Sequence, residues 1–325
     1  GSAWWLPKKE FSKKFGVNRI DLSKKEFVDL IKLANEDKEC IKKDEENTNM
    51  TKINPIFKAG GLVIGKKDKI IPKFKCKKLG KFIRIPYFSF RKVEDIYYID
   101  DDLHSLTVGA TRSGKTRSLV LQTIINTGLA GENMILSDPK GELFEYTSKT
   151  LERLGYKVYT LDFKTPLKSS KYNFLEPVIE AFSHKDIPKA VNYCSDIVES
   201  LVGEVGNREA IWVNGEKSVI KAGIMSVVLG NEKHKEYQNL PNTYHFISKM
   251  CAEQSDKTML MDTYLDTLPD SHPAVSSFAA ARIAPSKTRA SFFTSALATL
   301  SIFMDDYVAS MISESEIDLN KFNEE

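Results

Sequence analysis

Between Leu103 and Leu161 the chain alternates between two hydrophobic periods. Leu106-Thr107-Val108, Met134-Ile135-Leu136 and Val158-Tyr159-Thr160-Leu161 are short apolar runs of the kind that form buried strands. The stretches between them repeat with a helical period, through Leu119, Val120, Ile124 and Ile125 in the first and Leu143, Thr147, Leu151 and Leu154 in the second, which Gly155 closes as a C-cap. Two successive β-α-β units of this length predict a parallel sheet covered on both faces by helices.

After Pro177 the strand signal fades and only helical periodicity remains. Ile187, Val191, Cys194, Val198 and Leu201 form one stripe, with Asp186 as N-cap, Pro188 in the first turn and Gly203 past the end. Trp212, Val219, Ala222, Met225 and Leu229 mark a second helix. Tyr244, Ile247 and Met250 mark a third, Leu260, Tyr264 and Leu268 a fourth, and Phe293, Leu297, Leu300 and Met304 another. This pattern predicts an all-α domain following the third strand, with Ile317-Asp318-Leu319 as the chain returning toward the sheet. Ahead of the alternating region, a helix is expected from Ser23 to about Asn35, a polar linker over Glu36 to Asn49, and β-type runs at Gly61 to Gly65, Phe82 to Pro86 and Ile96 to Ile99.

Composition adds limits rather than direction. The 325 residues suit two domains of about 150 each, and 42% hydrophobic with 28% charged residues is ordinary globular usage. No run approaches the roughly 18 apolar residues of a membrane span, so any anchor would lie outside this chain. Cys40, Cys76, Cys194 and Cys251 are scattered, form no CxxC and have no histidine at metal-ligand spacing, which reads as reduced thiols in a cytosolic protein. The net charge of +3 hides an uneven distribution: Lys66 to Lys92 holds eleven Lys or Arg against Asp68 alone. That segment reads either as a solvated, lysine-rich hairpin or as a surface for nucleic-acid phosphates.

The sharpest chemistry lies between the first apolar run and its helix. Gly109-Ala110-Thr111-Arg112-Ser113-Gly114-Lys115-Thr116 matches G-x-x-x-x-G-K-[ST] at every defined position, in the strand-to-helix context that the pattern requires. Gly109 and Gly114 let the backbone bend so that successive N–H groups face phosphate oxygens, and the helix that follows adds its positive end. Lys115 supplies a charge to the β and γ phosphates, and the Thr116 hydroxyl is a ligand for Mg²⁺. The expected ligand is ATP with Mg²⁺. Arg112 and Arg117 flank the lysine and either touch phosphate or a neighbouring subunit, or simply face solvent.

Asp138-Pro139-Lys140-Gly141-Glu142 follows the second apolar run. An apolar strand ending in Asp resembles a Walker B motif, and D-x-x-G a GTPase switch, but the guanine-reading N-K-x-D is absent from the chain. The same residues suit a type I turn, so Asp138 is either near the nucleotide or a turn former. His104 and His272 read as structural histidines, and no nucleophile-elbow pattern is present.

Together, Asp100-Asp101-Asp102-Leu103-His104-Ser105-Leu106 leading into the glycine-rich loop, and Ser137-Asp138-Pro139-Lys140-Gly141-Glu142-Leu143, closely resemble the TraG/VirD-type coupling ATPases of type IV secretion and conjugation. Gly1-Ser2-Ala3 with Trp5, Ile211-Trp212, Ser271-His272-Pro273-Ala274 and Lys287-Thr288-Arg289-Ala290-Ser291 extend the resemblance along nearly the whole chain, although Gly1-Ser2 is equally a cloning remnant. The resemblance implies a RecA-like nucleotide domain with a mainly parallel sheet, an inserted all-α domain, an N-terminal anchor at the cytoplasmic face of the bacterial inner membrane, and a hexameric ring. It implies division at 1–95 (N-terminal juxtamembrane and basic segment), 96–176 (nucleotide-binding domain), 177–311 (all-α domain) and 312–325 (return to the nucleotide domain). It further implies ATP-driven delivery of relaxase-bound single-stranded DNA or protein effectors to the channel. The family's later strand with its Asp-Glu pair is expected beyond Glu325, so these residues are expected to bind nucleotide and to hydrolyse it at or near background. Competing readings are a nucleotide-gated substrate adaptor without DNA translocation, and another RecA-like DNA motor.

Overall fold

The computed structural model describes residues 15–27, 55–79, 83–101, 103–204, 209–252, 258–319 and 322, with backbone alone at 73–79 and 83–88. The chain divides into two compact units, Gly1–Val158 and Tyr159–Glu325.

The first unit contains a three-stranded antiparallel sheet in the order β1-β3-β2, made of β1 (Gly16–Ile20), β2 (Leu62–Leu79) and β3 (Ile83–Ile99). The β-type runs expected at Gly61 to Gly65 and Ile96 to Ile99 lie at the base of this sheet, and the one expected at Phe82 to Pro86 falls at the start of β3 from Ile83 on. β2 and β3 make one long ribbon, paired from Leu62↔Ile99 to Leu79↔Ile83. The helix expected from Ser23 is helical at 25–27. Its remainder and the 36–49 linker lie outside the described residues.

Asp95 is fully buried in the sheet and takes two hydrogen bonds from Arg19, its cross-strand partner on β1, at 2.6 and 3.2 Å, plus one from Lys69. Burial pushes its carboxyl up, but Arg19 and Lys69 outweigh that and hold it below the ordinary carboxylate range. A group depressed in the folded state contributes stability that is complete above its unfolded value of about 3.9 and is lost as pH falls through the folded value. The stability advantage of the wild type over Asp95→Asn in urea unfolding is therefore expected to be largest at neutral pH and to shrink toward about pH 3. An advantage independent of pH would show that the ion pairs are not its source.

Behind the sheet lie α1 (Leu121–Ala130) and α2 (Glu142–Arg153). They approach closely where a Cβ on Gly128 would stand 2.6 Å from the Leu151 side chain. The sheet is tied to α1 by polar contacts: Asn18 Nδ2 donates to Asn126 Oδ1 and Ala59 O, both at 2.8 Å, and Val63 N donates to Thr123 Oγ1 at 3.1 Å. Phe27, Phe57 and Leu129 close a small core beside them.

The expected parallel sheet is not what the described residues form. Leu106–Val108 and Met134–Leu136 enter no ladder, and Leu106, Val108 and Ile135 are 90%, 85% and 87% exposed. A parallel strand draws its hydrogen bonds from neighbours on both sides, and none pairs with these runs. In the second unit, Thr160 and Asp162 have found other partners: their amides donate to the hydroxyls of Ser170 and Ser169, and Thr160 O accepts from Ser170 N. The supported class is thus mixed α/β with an antiparallel sheet.

The second unit is helical: α3 (Glu176–Ser183), α4 (Ile187–Val202), α5 (Ala210–Gly230), α6 (Leu240–Met250), α7 (Leu260–Leu265), α8 (Pro273–Arg282), α9 (Ser286–Leu300) and α10 (Asp306–Ile312). The α4 boundaries follow the local signals, with Asp186 Oδ1 accepting from Lys189 N at 3.1 Å and Gly203 closing the end at φ +77°. The other expected helices are present, and α3, α8 and α10 are additions. At the centre lies α5, buried on all sides from Ala222 to Val228. Two glycines let its neighbours close in: a Cβ on Gly215 would stand 2.4 Å from the Phe292 ring of α9, and one on Gly223 would stand 2.7 Å from Ile247 of α6. Cys194 of α4 is buried in this core, and burial, against the opposing pull of Lys221, pushes its thiol up to about 12, as suits an inert structural cysteine.

Candidate nucleotide-binding loop

The loop from Gly109 to Thr116 is an exposed turn ahead of a helix, and its shape follows from three backbone facts. Gly114 sits at φ +83°, which strains any residue with a Cβ. Gly109 has no such angle, and its requirement is space, since a Cβ there would lie 3.0 Å from Ser113 Oγ and 3.2 Å from Lys115 Cδ. Arg112 is left-handed at φ 63°, an unusual position for a non-glycine residue. Ser113 N donates to Ala110 O at 3.2 Å, which tightens the turn.

Lys115 folds back over its own loop, donating from Nζ to Gly109 O and, at 3.0 Å, to Ala110 O. The ammonium is thus inside the loop that phosphate would enter, with peptide oxygens as its partners. Thr116 opens a π-helical turn, Thr116–Val120, in which Leu121 N donates back to Thr116 O before α1 begins. A wide turn of this kind inside a helix is common at functional sites. Arg112 and Arg117 are exposed, and Ala110, Thr111 and Ser113 are also solvent-facing. Ser118, absent from the motif, seals the loop-to-helix junction by donating from Oγ to Gly114 O at 2.7 Å. A hydroxyl one turn into the helix was the available signal for it.

Asp138 is occupied locally. Its carboxylate accepts from Phe144 N at 3.0 Å and its carbonyl accepts from Gly141 N at 3.2 Å, with Gly141 at φ +78°. This is a turn that caps the start of α2, and it gives Asp138 a structural task. Among the described residues no cluster of three His, Cys, Asp or Glu side chains gathers to hold a metal. A Mg²⁺ site here would draw on the Thr116 hydroxyl and on phosphate oxygens brought by the ligand.

In the helical unit the sequence marks shared with coupling ATPases turn out to be architectural. His272 caps α8, its Nδ1 accepting from Ala274 N at 3.2 Å, and burial lowers its pKa, which favours the neutral acceptor form. Arg289 reaches Asp262 at 3.0 and 3.1 Å, and Arg282 bonds Asp266 at 2.6 Å. Trp212 packs edge-on against Phe292. This unit also carries a cleft of about 1150 Å³. Phe163, Tyr172, Phe174 and Phe303 form its aromatic wall, and Glu176, Glu180, Asp196, Glu316 and Asp318 line it with carboxylates, with no lysine, arginine or histidine among the described residues of the lining. Sequence reasoning missed it, because its walls come from positions more than a hundred residues apart.

A family model described as Type IV secretory system Conjugative DNA transfer matches residues 49–325. The chain belongs to this family of conjugative DNA-transfer proteins of type IV secretion. No curated protein matches it. No helix among the described residues is long and apolar enough to cross a membrane.

Proposed function

We propose that this chain is an ATP-binding motor and coupling protein of type IV secretion, which recruits relaxase-bound single-stranded DNA or protein effectors to the channel and powers their transfer by ATP hydrolysis. The observation that carries the reading is the Gly109–Thr116 loop, with Lys115 already inside it, in a chain of a DNA-transfer family. Ligand phosphate would take over the Lys115 ammonium from the Gly109 and Ala110 carbonyls, and the loop amides, with Arg112 and Arg117 at the rim, would complete the binding. Thr116 would hold Mg²⁺, whose chemistry is to neutralise charge between the β and γ phosphates. In this reading the exposed apolar runs at Leu106–Val108 and Met134–Leu136 belong to a RecA-like core, the working form is a homo-hexamer at the cytoplasmic face of the inner membrane, and Asp138 lies near the nucleotide as well as capping α2.

Thr116→Ala is expected to weaken Mg²⁺-dependent ATP binding by about tenfold while leaving metal-free binding within about twofold, since it deletes a metal ligand rather than a phosphate contact. Titration with and without Mg²⁺ decides this, and equal losses in both would remove Thr116 from the metal site.

A second reading, a nucleotide-gated adaptor that captures protein cargo without moving DNA, is favoured by the carboxylate-lined aromatic cleft. ATP turnover by the full-length protein separates the two: stimulation by single-stranded DNA supports the motor, and indifference to DNA supports the adaptor.

A further inference from the structure

The walls of the aromatic cleft all belong to the helical unit, and they combine two linings that packing alone does not call for. The first is charge. Glu176 and Glu180 stand one turn apart on α3, a like-charge spacing that costs a helix stability. Asp196 of α4, and Glu316 and Asp318 of the segment after α10, add their carboxylates to the same lining. Lys171, next in sequence to Tyr172, bonds Glu314 at 3.1 Å, outside the lining. Burial raises the pKa of the Tyr172 phenol, and the charges of Glu176 and Glu180 raise it further, so the negative field of α3 reaches the aromatic wall. The second lining is apolar surface left in water: Phe163, Ile302 and Leu319 are 50%, 65% and 46% exposed. At the edge, Tyr193 already holds the Lys189 ammonium 5.6 Å from its ring centroid, so a ring of this lining takes a cation.

We propose that this cleft binds a cationic, amphipathic peptide segment of a protein partner, whose apolar side chains cover Phe163, Ile302 and Leu319 while its lysines or arginines meet the carboxylates. The lining selects this occupant by charge and by size. A nucleic acid or a bilayer headgroup layer would bring phosphates against a ring of carboxylates. A volume of about 1150 Å³ exceeds the roughly 300–1,000 Å³ of pockets that enclose a small molecule, and suits several residues of a chain. An apolar body that anchors in the aromatic wall, with cations paired at the rim, is the usual division of labour in such an interface. The inference deepens the recruiting role proposed above and rests on it for the partner being a protein.

The test is fluorescence anisotropy of a fluorescein-labelled decapeptide of alternating arginine and leucine, titrated with the full chain. Binding is expected to weaken with added salt, and to vanish when glutamate replaces every arginine in the peptide. Glu176→Gln, Glu180→Gln and Asp196→Asn together should weaken it by about tenfold and flatten the salt dependence. Glu145→Gln, Glu152→Gln and Glu232→Gln remove the same charge from exposed positions outside the cleft and should change the affinity by less than about twofold. Ile302→Ser should weaken binding by about fivefold with the melting temperature unchanged, because the side chain is exposed. If that variant melts early, Leu319→Ser replaces it with the same expectation. The proposal is overturned by a wild type that does not bind the peptide, by full binding in the cleft triple variant, or by an equal loss in the control triple variant. Full binding by the serine variant overturns it as well. Spermine bound by a wild type that ignores the peptide assigns the cleft to a small polycation instead. Titration of the same proteins with Mg²⁺-ATP keeps the two readings apart: ATP binding without peptide binding ends this inference alone, and peptide binding without ATP binding ends the nucleotide-driven reading alone.

Discussion

Lys115→Ala is expected to weaken Mg²⁺-ATP binding by at least about 3 kcal/mol, roughly a hundredfold in Kd. The change deletes the one cation inside the loop and leaves phosphate charge without a partner. It also removes the brace on the Gly109 and Ala110 carbonyls, so the free loop gains conformers that the ligand must then order. Arginine is a poor substitute, because Gly109 is already closed down onto the lysine stem and a planar fork needs more room. Isothermal titration checks this, and an unchanged Kd would move the nucleotide site away from the loop.

Asp262→Ala is expected to destabilise the helical unit by about 3–5 kcal/mol, the range for stranding one member of a buried ion pair. Asp262 and Arg289 have side chains only 12% and 11% exposed, while Arg282 bonds Asp266 at 2.6 Å and stands 3.9 Å from Asp262. Asp262 Oδ2 also accepts from Met259 N at 3.2 Å, so the carboxylate caps α7 while neutralising α9. Adding Arg289→Ala should restore part of the loss, since the stranded charge is then gone. Urea unfolding of the four proteins in the cycle measures the coupling. Strict additivity would reduce the pair to two unrelated side chains.

How much was legible in advance depended on whether a signal was local. The α4 limits were legible because Asp186, Pro188 and Gly203 each solve a backbone problem at a fixed offset. The Gly109–Thr116 loop was legible for the same reason, as residue types dictated by one short turn. What was hidden came from spacing or contrast. α8 went unseen because Ala279, Ala280 and Ala281 blur its apolar stripe, and its start depends on a histidine acting as the cap. The ribbon was read as short runs because lysines and arginines fall on both of its sides and hide the alternation. The expected parallel strands were inferred from apolar runs, a signal that says a segment suits burial but does not supply the neighbours it must pair with.

The central helix α5 illustrates the cost of having no outward face. A surface helix can breathe on its solvent side, whereas α5 is enclosed from Ala222 to Val228 and contacts its neighbours through glycines that leave no slack. Its amide protons have no local opening through which to reach water, so their exchange with solvent deuterium tracks unfolding of the whole unit. The slowest-exchanging segment of the helical unit thereby reports its global stability.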